Sequence, residues 1–513
     1  MNTTVDVRMS DGIPLSTQVI APDSGGPWPV LIARTPYGKT GLSEWLSAFT
    51  LGGYAVVVQD VRGTGESKGS FSFLRDELAD AADTGQWILE QPFCNGSIGL
   101  IGISYLGASS VGIAHAFPKN VKAAVWVAPA LSAQSVFGSE GAVRLHHNLP
   151  WTALSHPRFG ELDWSSLYRH LPLWDALQSC GIDSPLWKGI CSSVLGTSPL
   201  PDLGAVFREV SVPGLHFAGL WDFMLDASFF AWDASNRPGS APQAMFLGPW
   251  SHNGIAAEVT KNAYADYGSE ASSDFGRRTM QWFDHYLKGI DLPEDLATPV
   301  SAYVPGIGWL KLGAWPDPAA RNLDLYLGDG TLCPEVPESD SREYIYDPSN
   351  PVPTEGGALW EFPKAGISPG PAVVTTGDRP DVLVFQSPVL DRRVTALGPV
   401  EVLLHATTDA PSTDFTAKLI DVSPEGTPRI VGDSLCRAAG PGPVEATIRM
   451  AAVGHVFERG HRIRLDVSSS NFPRFDRNLN TGVSGLISDR IRAARQSIRF
   501  GANAPSTLRL SVL

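Results

Sequence analysis

Three residues stand where acyl-transfer chemistry would need them. The stretch GISYLG (102–107) sets Ser104 after an apolar, strand-like run and ahead of YLGASSVGIAHAF, a run of small residues with helical character. A serine on a sharp strand-to-helix turn is lifted clear of the sheet and can act as a nucleophile. The usual pattern is G-x-S-x-G, and here the second glycine arrives one position late, with Leu106 in its place. A helix N-cap serine fits the same position, so Ser104 alone leaves both readings open. Further on, AGLWD ends an apolar run with Asp222, and LGPWSHNG ends the next with His252. The order Ser104, Asp222, His252 is that of an α/β-hydrolase triad. In such a triad the histidine takes the serine proton, and the acid fixes its tautomer and stabilises its cation. Asp226 is a rival acid, and Asp222 and His252 could also be turn or cap residues.

The same chemistry needs donors for an oxyanion. The backbone N–H after the nucleophile, that of Tyr105, is one. Tyr37, in the loop ARTPYGKTG after an earlier strand, is a candidate for the second, because a phenol donates one hydrogen bond. A loop tyrosine equally serves packing. Other features carry less. GTGESKG (63–69) matches neither a P-loop nor G-x-G-x-x-G, and adjacent His146 and His147 would face different ways on a helix, with no H-E-x-x-H motif. No metal or cofactor is expected.

The elements that must carry these residues are legible as apolar runs. WPVLIAR, YAVVVQD, SIGLIGI and VKAAVWVAP are short, rich in β-branched residues and bounded by Gly or Pro, as parallel strands buried on both faces should be. A helical pattern lies in DELADAADTGQWILEQP, and strands alternating with helices define an α/β domain. From about residue 140 to 211 the text turns rich in Trp, His, Leu and Pro, which reads as a helical cap. Its Trp151, Trp164, Trp174 and Trp187 are expected in the core, some of them lining the pocket. The sheet resumes at 212. From about 296, turn-punctuated strands such as HRIRLDVSSS point to an all-β sandwich or jelly-roll domain. The division is therefore 1–139 and 212–295 for the α/β domain, 140–211 for the cap and 296–513 for the β domain.

Composition sets the outer limits. A chain of 513 residues exceeds one core, and 43% hydrophobic with 18% charged residues suits a globular protein. A net charge of −14 without a basic run argues against a nucleic-acid partner, and no apolar stretch is long enough for a membrane span. Five scattered cysteines and no leader-like start point to a cytoplasmic protein.

Taken together, RTPYGK, GYAVVVQDVRGTGES, GISYLG, GLWD, GPWSH and WFDHYLKG resemble the cocaine esterase and X-Pro dipeptidyl peptidase family (CocE/NonD), and HRIRLDVSSSNFPRFDRNLNTG resembles its jelly-roll domain. In that family the elbow itself reads G-x-S-Y-x-G. The resemblance implies an α/β-hydrolase fold with a helical cap and a C-terminal jelly roll. It also implies a Ser104, Asp222, His252 triad and an oxyanion hole from the Tyr37 hydroxyl and the Tyr105 amide. The expected activity is hydrolysis of a small ester or amide through an acyl-enzyme. Alternatives within the family are an α-amino acylase or X-Pro aminopeptidase, which would need a carboxylate such as Glu140, Asp163 or Asp226 near the pocket. A biosynthetic acyltransferase or cyclase could use the same triad. Outside the class, a non-catalytic binding module is the rival. A homo-oligomer stays open.

Overall fold

The computed structural model describes residues 1–139, 141–362 and 366–513. The strands of its first part are β1 (Asn2–Arg8), β2 (Pro14–Ile20), β3 (Trp28–Thr35), β4 (Ala55–Asp60), β5 (Cys94–Ile103) and β6 (Val121–Val127). After them come β7 (Gly138–Ser139), β8 (Ala142–Val143), β9 (Gly214–Gly219), β10 (Gln243–Gly248), β11 (Val300–Val304) and β12 (Gly308–Leu312). All but the small β7–β8 hairpin join one sheet in the order β1-β2-β4-β3-β5-β6-β9-β10-β11-β12. Neighbours from β4 to β11 run parallel. The outer pairs β1–β2, β2–β4 and β11–β12 are antiparallel.

The apolar runs do what a doubly covered strand requires. Along β3, Val30 and Ile32 join one core with Val57, Leu100 and Val111, while Leu31 and Ala33 face the other way into a core with Val56, Phe217 and Phe283. The helices Glu77–Leu89 and Tyr105–Ala116 cover the first face, and Phe275–Lys288 covers the second. The chain winds outward from β3 to β4 and then returns to pair β5 on the other side of β3. That reversal opens a crevice at the carboxyl ends of β3 and β5, where ligands of open α/β sheets bind.

Between β6 and β9 lie short helices, among them Leu145–Trp151, Trp164–Arg169, Pro185–Val194 and Gly204–Glu209. They form the cap, with Trp164, Leu173, Trp187 and Ile190 in its core.

The first sheet does not stop at residue 295. Met245 to Leu247 of β10 pair with Val300 to Ala302 of β11, which turns back into β12. The β domain's own strands begin at Arg321–Leu327. Among the described residues, one sheet there has seven strands, including Val394–Thr408, Gly442–Phe457 and Thr507–Val512. The other has four, with Arg462–Ser468 beside Ser412–Val422. Ile463, Leu465 and Val467 point into the core between the sheets, as their alternation requires. Asp466 on the opposite face is also buried, held by Arg464 Nε at 2.7 Å.

The β domain shares cores with the rest of the chain. Leu397, Ala452 and Val456 pack with Leu220, Phe229, Leu247 and Val300, while Phe362, Phe472 and Leu486 enter the cap core.

Candidate active site

Ser104 ends β5 and starts the helix Tyr105–Ala116. Its φ of 54° and ψ of −121° are unusual for a residue with a side chain. Such a conformation costs about 1–3 kcal/mol and survives only where the surroundings over-determine it. Here the Ser104 N–H donates to Val127 O at 2.8 Å, and its carbonyl accepts from Gly107 N and Ala130 N at 3.1 and 3.0 Å. Although Ser104 occupies the N-cap position, its side chain makes no capping hydrogen bond. The hydroxyl instead faces Met224 Sδ at 3.8 Å and interacts with Tyr37.

The late glycine has a steric cause. A Cβ on Gly102 would lie 2.7 Å from Gly107 Cα, and one on Gly107 would lie 2.5 Å from Pro129 Cβ. Strand, helix and the turn after β6 therefore meet at position 107, while Leu106 has room to pack into the core with Ile101 and Val125.

Tyr37 follows β3, so its loop and the Ser104 turn are neighbours because β3 pairs β5. The tyrosine is half exposed as a whole, yet its hydroxyl is engaged, accepting from Trp151 Nε1 at 3.2 Å. Burial of that end raises its pKa, so the phenol keeps its proton as a donor. Tyr105 is the first residue of the elbow helix, and its N–H has no intrahelical acceptor. Its side chain points away from the serine and donates to Glu77 Oε1 at 2.8 Å. Glu77 also accepts from Arg34 Nη1 at 2.7 Å, and the same guanidinium nitrogen donates to Ser109 O at 2.6 Å. The elbow helix is thus pinned to β3 and to the helix Glu77–Leu89 by a fully buried ion pair. Arg34 inside the apolar run WPVLIART was the sequence signal for it, since a buried charge must be paired.

Asp222 and His252 meet because β9 and β10 are neighbours whose following turns are stitched together. Leu220 N donates to Gly248 O at 2.8 Å and Trp221 N to Trp250 O at 3.0 Å. His252 Nδ1 lies 2.9 and 3.0 Å from the two oxygens of the fully buried Asp222, and Asp222 Oδ1 also accepts from Met224 N at 2.7 Å. This leaves Nε2 as the free edge of the ring. Burial, the largest influence on His252, disfavours the imidazolium. The charge and hydrogen bond of Asp222 and the charge of Glu361 outweigh it, and the pKa ends above the usual histidine value. Ser104 and His252 line one pocket without a direct hydrogen bond between them.

That pocket has a volume of about 660 Å³, and Trp45, Leu42, Trp151, Leu154, Phe223 and Trp360 supply its apolar wall. Among the described residues, its lining includes no Asp, Glu, Lys or Arg side chain. Trp360 comes from the β domain. Sequence reasoning missed it, along with Phe223 and Glu361.

The remaining candidates go elsewhere. Asp226 pairs with Arg144 Nη2 at 2.5 Å rather than with His252. Asp163 caps the helix Trp164–Arg169 by accepting from Ser166 N at 3.3 Å. Glu140 lies outside the described residues. Trp164 and Trp187 are core, whereas Trp151 reaches the pocket. His147 lines the pocket stacked on Phe223 at 4.0 Å, and burial pushes its pKa down to about 3, so the ring is neutral. The GTGESKG loop wraps a carboxylate: Glu66 N donates to Asp60 Oδ2 at 3.0 Å, and a Cβ on Gly65 would lie 2.2 Å from that oxygen. A phosphate has no place there.

An α/β-hydrolase sheet with an elbow serine, a capped apolar pocket and an attached jelly roll defines a hydrolase. The model of the X-Pro dipeptidyl-peptidase (S15) family matches residues 11–254, and that of the X-Pro dipeptidyl-peptidase C-terminal non-catalytic domain matches residues 294–509. The chain is 32% identical to cocaine esterase of Rhodococcus sp. (strain MB1 Bresler), over 99% of this chain and 98% of that one. Among solved structures it resembles an α-amino acid ester hydrolase at 25% identity and TM-score 0.86, covering 100% of this chain and 96% of that one. It shares its fold with an aminopeptidase from a marine sediment Thaumarchaeota archaeon, at TM-score 0.85, 23% identity and the same coverage. The chain belongs to the cocaine esterase and X-Pro dipeptidyl-peptidase family of serine hydrolases.

Proposed function

We propose that this hydrolase cleaves a small, uncharged acyl ester through an acyl-enzyme on Ser104. The observation that carries the reading is the strained serine opening into the same pocket as the His252–Asp222 pair. His252 Nε2 accepts the Ser104 proton as Oγ bonds to the carbonyl carbon, and the carbonyl electron pair moves onto oxygen. The Tyr37 hydroxyl and the Tyr105 N–H hold that oxyanion. As it collapses, the bond to the leaving alkoxide breaks and the imidazolium returns the proton to the alcohol. Water then repeats the sequence on the acyl-enzyme, releasing the acid and freeing Ser104.

The pocket supports an ester of apolar parts over a substrate with an α-ammonium group. Among the described residues no carboxylate faces it from the lining, and Asp163 and Asp226 are committed to a helix cap and to Arg144. A cytoplasmic setting and a small-molecule partner complete the reading. Support for the first comes from the free thiols of Cys94, Cys180, Cys191 and Cys333. No described helix is long and apolar enough to cross a membrane.

The test uses a short p-nitrophenyl ester and a fluorophosphonate probe. Ser104→Ala should lose on the order of 10⁴–10⁶-fold in kcat, as nucleophile removal does elsewhere, and should no longer take the label. Turnover within tenfold of the parent, with the fold intact, would remove Ser104 as nucleophile.

A further inference from the structure

We infer that Glu361, carried by the β domain, is a positioning residue for His252: its carboxylate clamps the turn that bears the imidazole and adds a second negative charge beside it. The inference rests on the acyl-enzyme reading above.

Three observations carry it. Asn253 N donates to Glu361 Oε1 and Oε2 at 3.2 and 3.4 Å, so the residue directly after His252 is bonded from another domain. The Ser251 side chain, on the other side of His252, interacts with the same carboxylate. Glu361 thus grips the turn on both flanks of the imidazole while Asp222 holds Nδ1. The mechanism derived above has no other use for this carboxylate, and burial, its largest influence, raises its pKa. A mostly buried acid that spends its hydrogen bonds on one three-residue turn costs desolvation that must be offset by what it orders.

The titratable groups facing His252 come from three elements. Asp222 lies on the turn after β9, Glu361 on the β domain, and His147 on the cap helix Leu145–Trp151. His147 is neutral at any working pH, and Phe223 closes another side of the ring at 4.9 Å. Both carboxylates therefore favour the imidazolium. Removing the Glu361 charge lowers the His252 pKa, and the neutral base required for attack persists to lower pH.

The experiment compares full-length parent, Glu361→Gln and Glu361→Ala by the pH dependence of kcat/KM on p-nitrophenyl acetate. Gln keeps an acceptor for Asn253 N–H and loses the charge, so its acid limb moves to lower pH by more than the replicate scatter, with KM unchanged. Ala loses the clamp as well, and its plateau kcat falls about tenfold or more through misplacement of the base. Should Glu361→Ala fail to fold, Glu361→Gln decides alone. A Glu361→Gln profile superimposed on the parent's overturns the assignment. Turnover that survives Ser104→Ala overturns the acyl-enzyme reading instead. Ser104-dependent turnover with an unmoved Glu361→Gln profile overturns only the role given to Glu361.

Discussion

A phenol that already accepts a hydrogen bond has its own proton left to give. Trp151 Nε1 donates to Tyr37, whose hydroxyl also interacts with Ser104, and in the proposed mechanism its own proton serves the carbonyl oxygen as charge develops. The donor is most useful after charge has developed, which separates its effect on kcat from that on KM. Tyr37→Phe should therefore lose about 10²–10³-fold in kcat with little change in KM, the cost of one oxyanion donor elsewhere. Steady-state kinetics on an activated ester checks this: a large rise in KM at constant kcat would make Tyr37 a substrate-binding residue. That Ser104, Tyr37 and the Asp222–His252 pair lie near one another was legible in the sequence, because each follows an apolar run that reads as a strand. Glu361 was not visible, since nothing in ALWEF ties it to a histidine more than 100 positions earlier. Only the fold of the β domain brings them together.

At the scale of elements, the elbow is a three-way contact. The helix Tyr105–Ala116, β5 and the turn after β6 close on Gly102 and Gly107, and the glycine spacing follows from where those backbones touch. Gly107 lies inside a helix, where alanine would add about 1 kcal/mol of propensity. A methyl 2.5 Å from Pro129 Cβ opposes that gain. Overpacking typically costs 1–3 kcal/mol, and a contact this short between two rigid segments sits toward the upper end. Gly107→Ala should therefore destabilise the protein by about 1–2 kcal/mol net and lower kcat, because relief of the clash moves Ser104. Denaturant unfolding reads the first effect, and a midpoint equal to or above the parent's would show that the contact is slack. The parallel strands were legible because burial on both faces makes them continuously apolar. The hairpin of β1 and β2 was not, because the edge strand NTTVDVR is mostly polar and exposed. β11 and β12 were read as part of the β domain for a related reason: they are short and turn-punctuated, and only their pairing with β10 assigns them to the first sheet.

At the scale of the whole molecule, the β domain is built into the hydrolase rather than tethered to it. Leu397, Ala452 and Val456 complete the core beneath β10 and β11, and Phe472 and Leu486 complete that of the cap. Backbone hydrogen bonds follow the same seam, His146 N to Pro473 O and Trp174 N to Leu486 O, both at 2.9 Å. Val143 N donates to the buried Asp476 Oδ1 at 2.7 Å, which also pairs with Arg437. Cutting this seam re-exposes apolar surface at about 2.5 kcal/mol per 100 Å², against a total stability of about 5–15 kcal/mol. It also strands the Val143 N–H, strips Trp360 from the pocket and removes Glu361 from the turn that bears His252. Two truncations separate these costs. Residues 1–295 lose β11 and β12 as well as the β domain, leaving β10 an open edge, and should aggregate. Residues 1–312 keep the ten-stranded sheet whole but uncover Leu220, Phe229 and the cap core. This fragment should also fail to give soluble protein with parent-like kcat/KM on a short p-nitrophenyl ester. A soluble, monomeric 1–312 fragment with the parent's kcat/KM would show that the shared cores contribute nothing the hydrolase needs, and that Trp360 and Glu361 are bystanders to its chemistry.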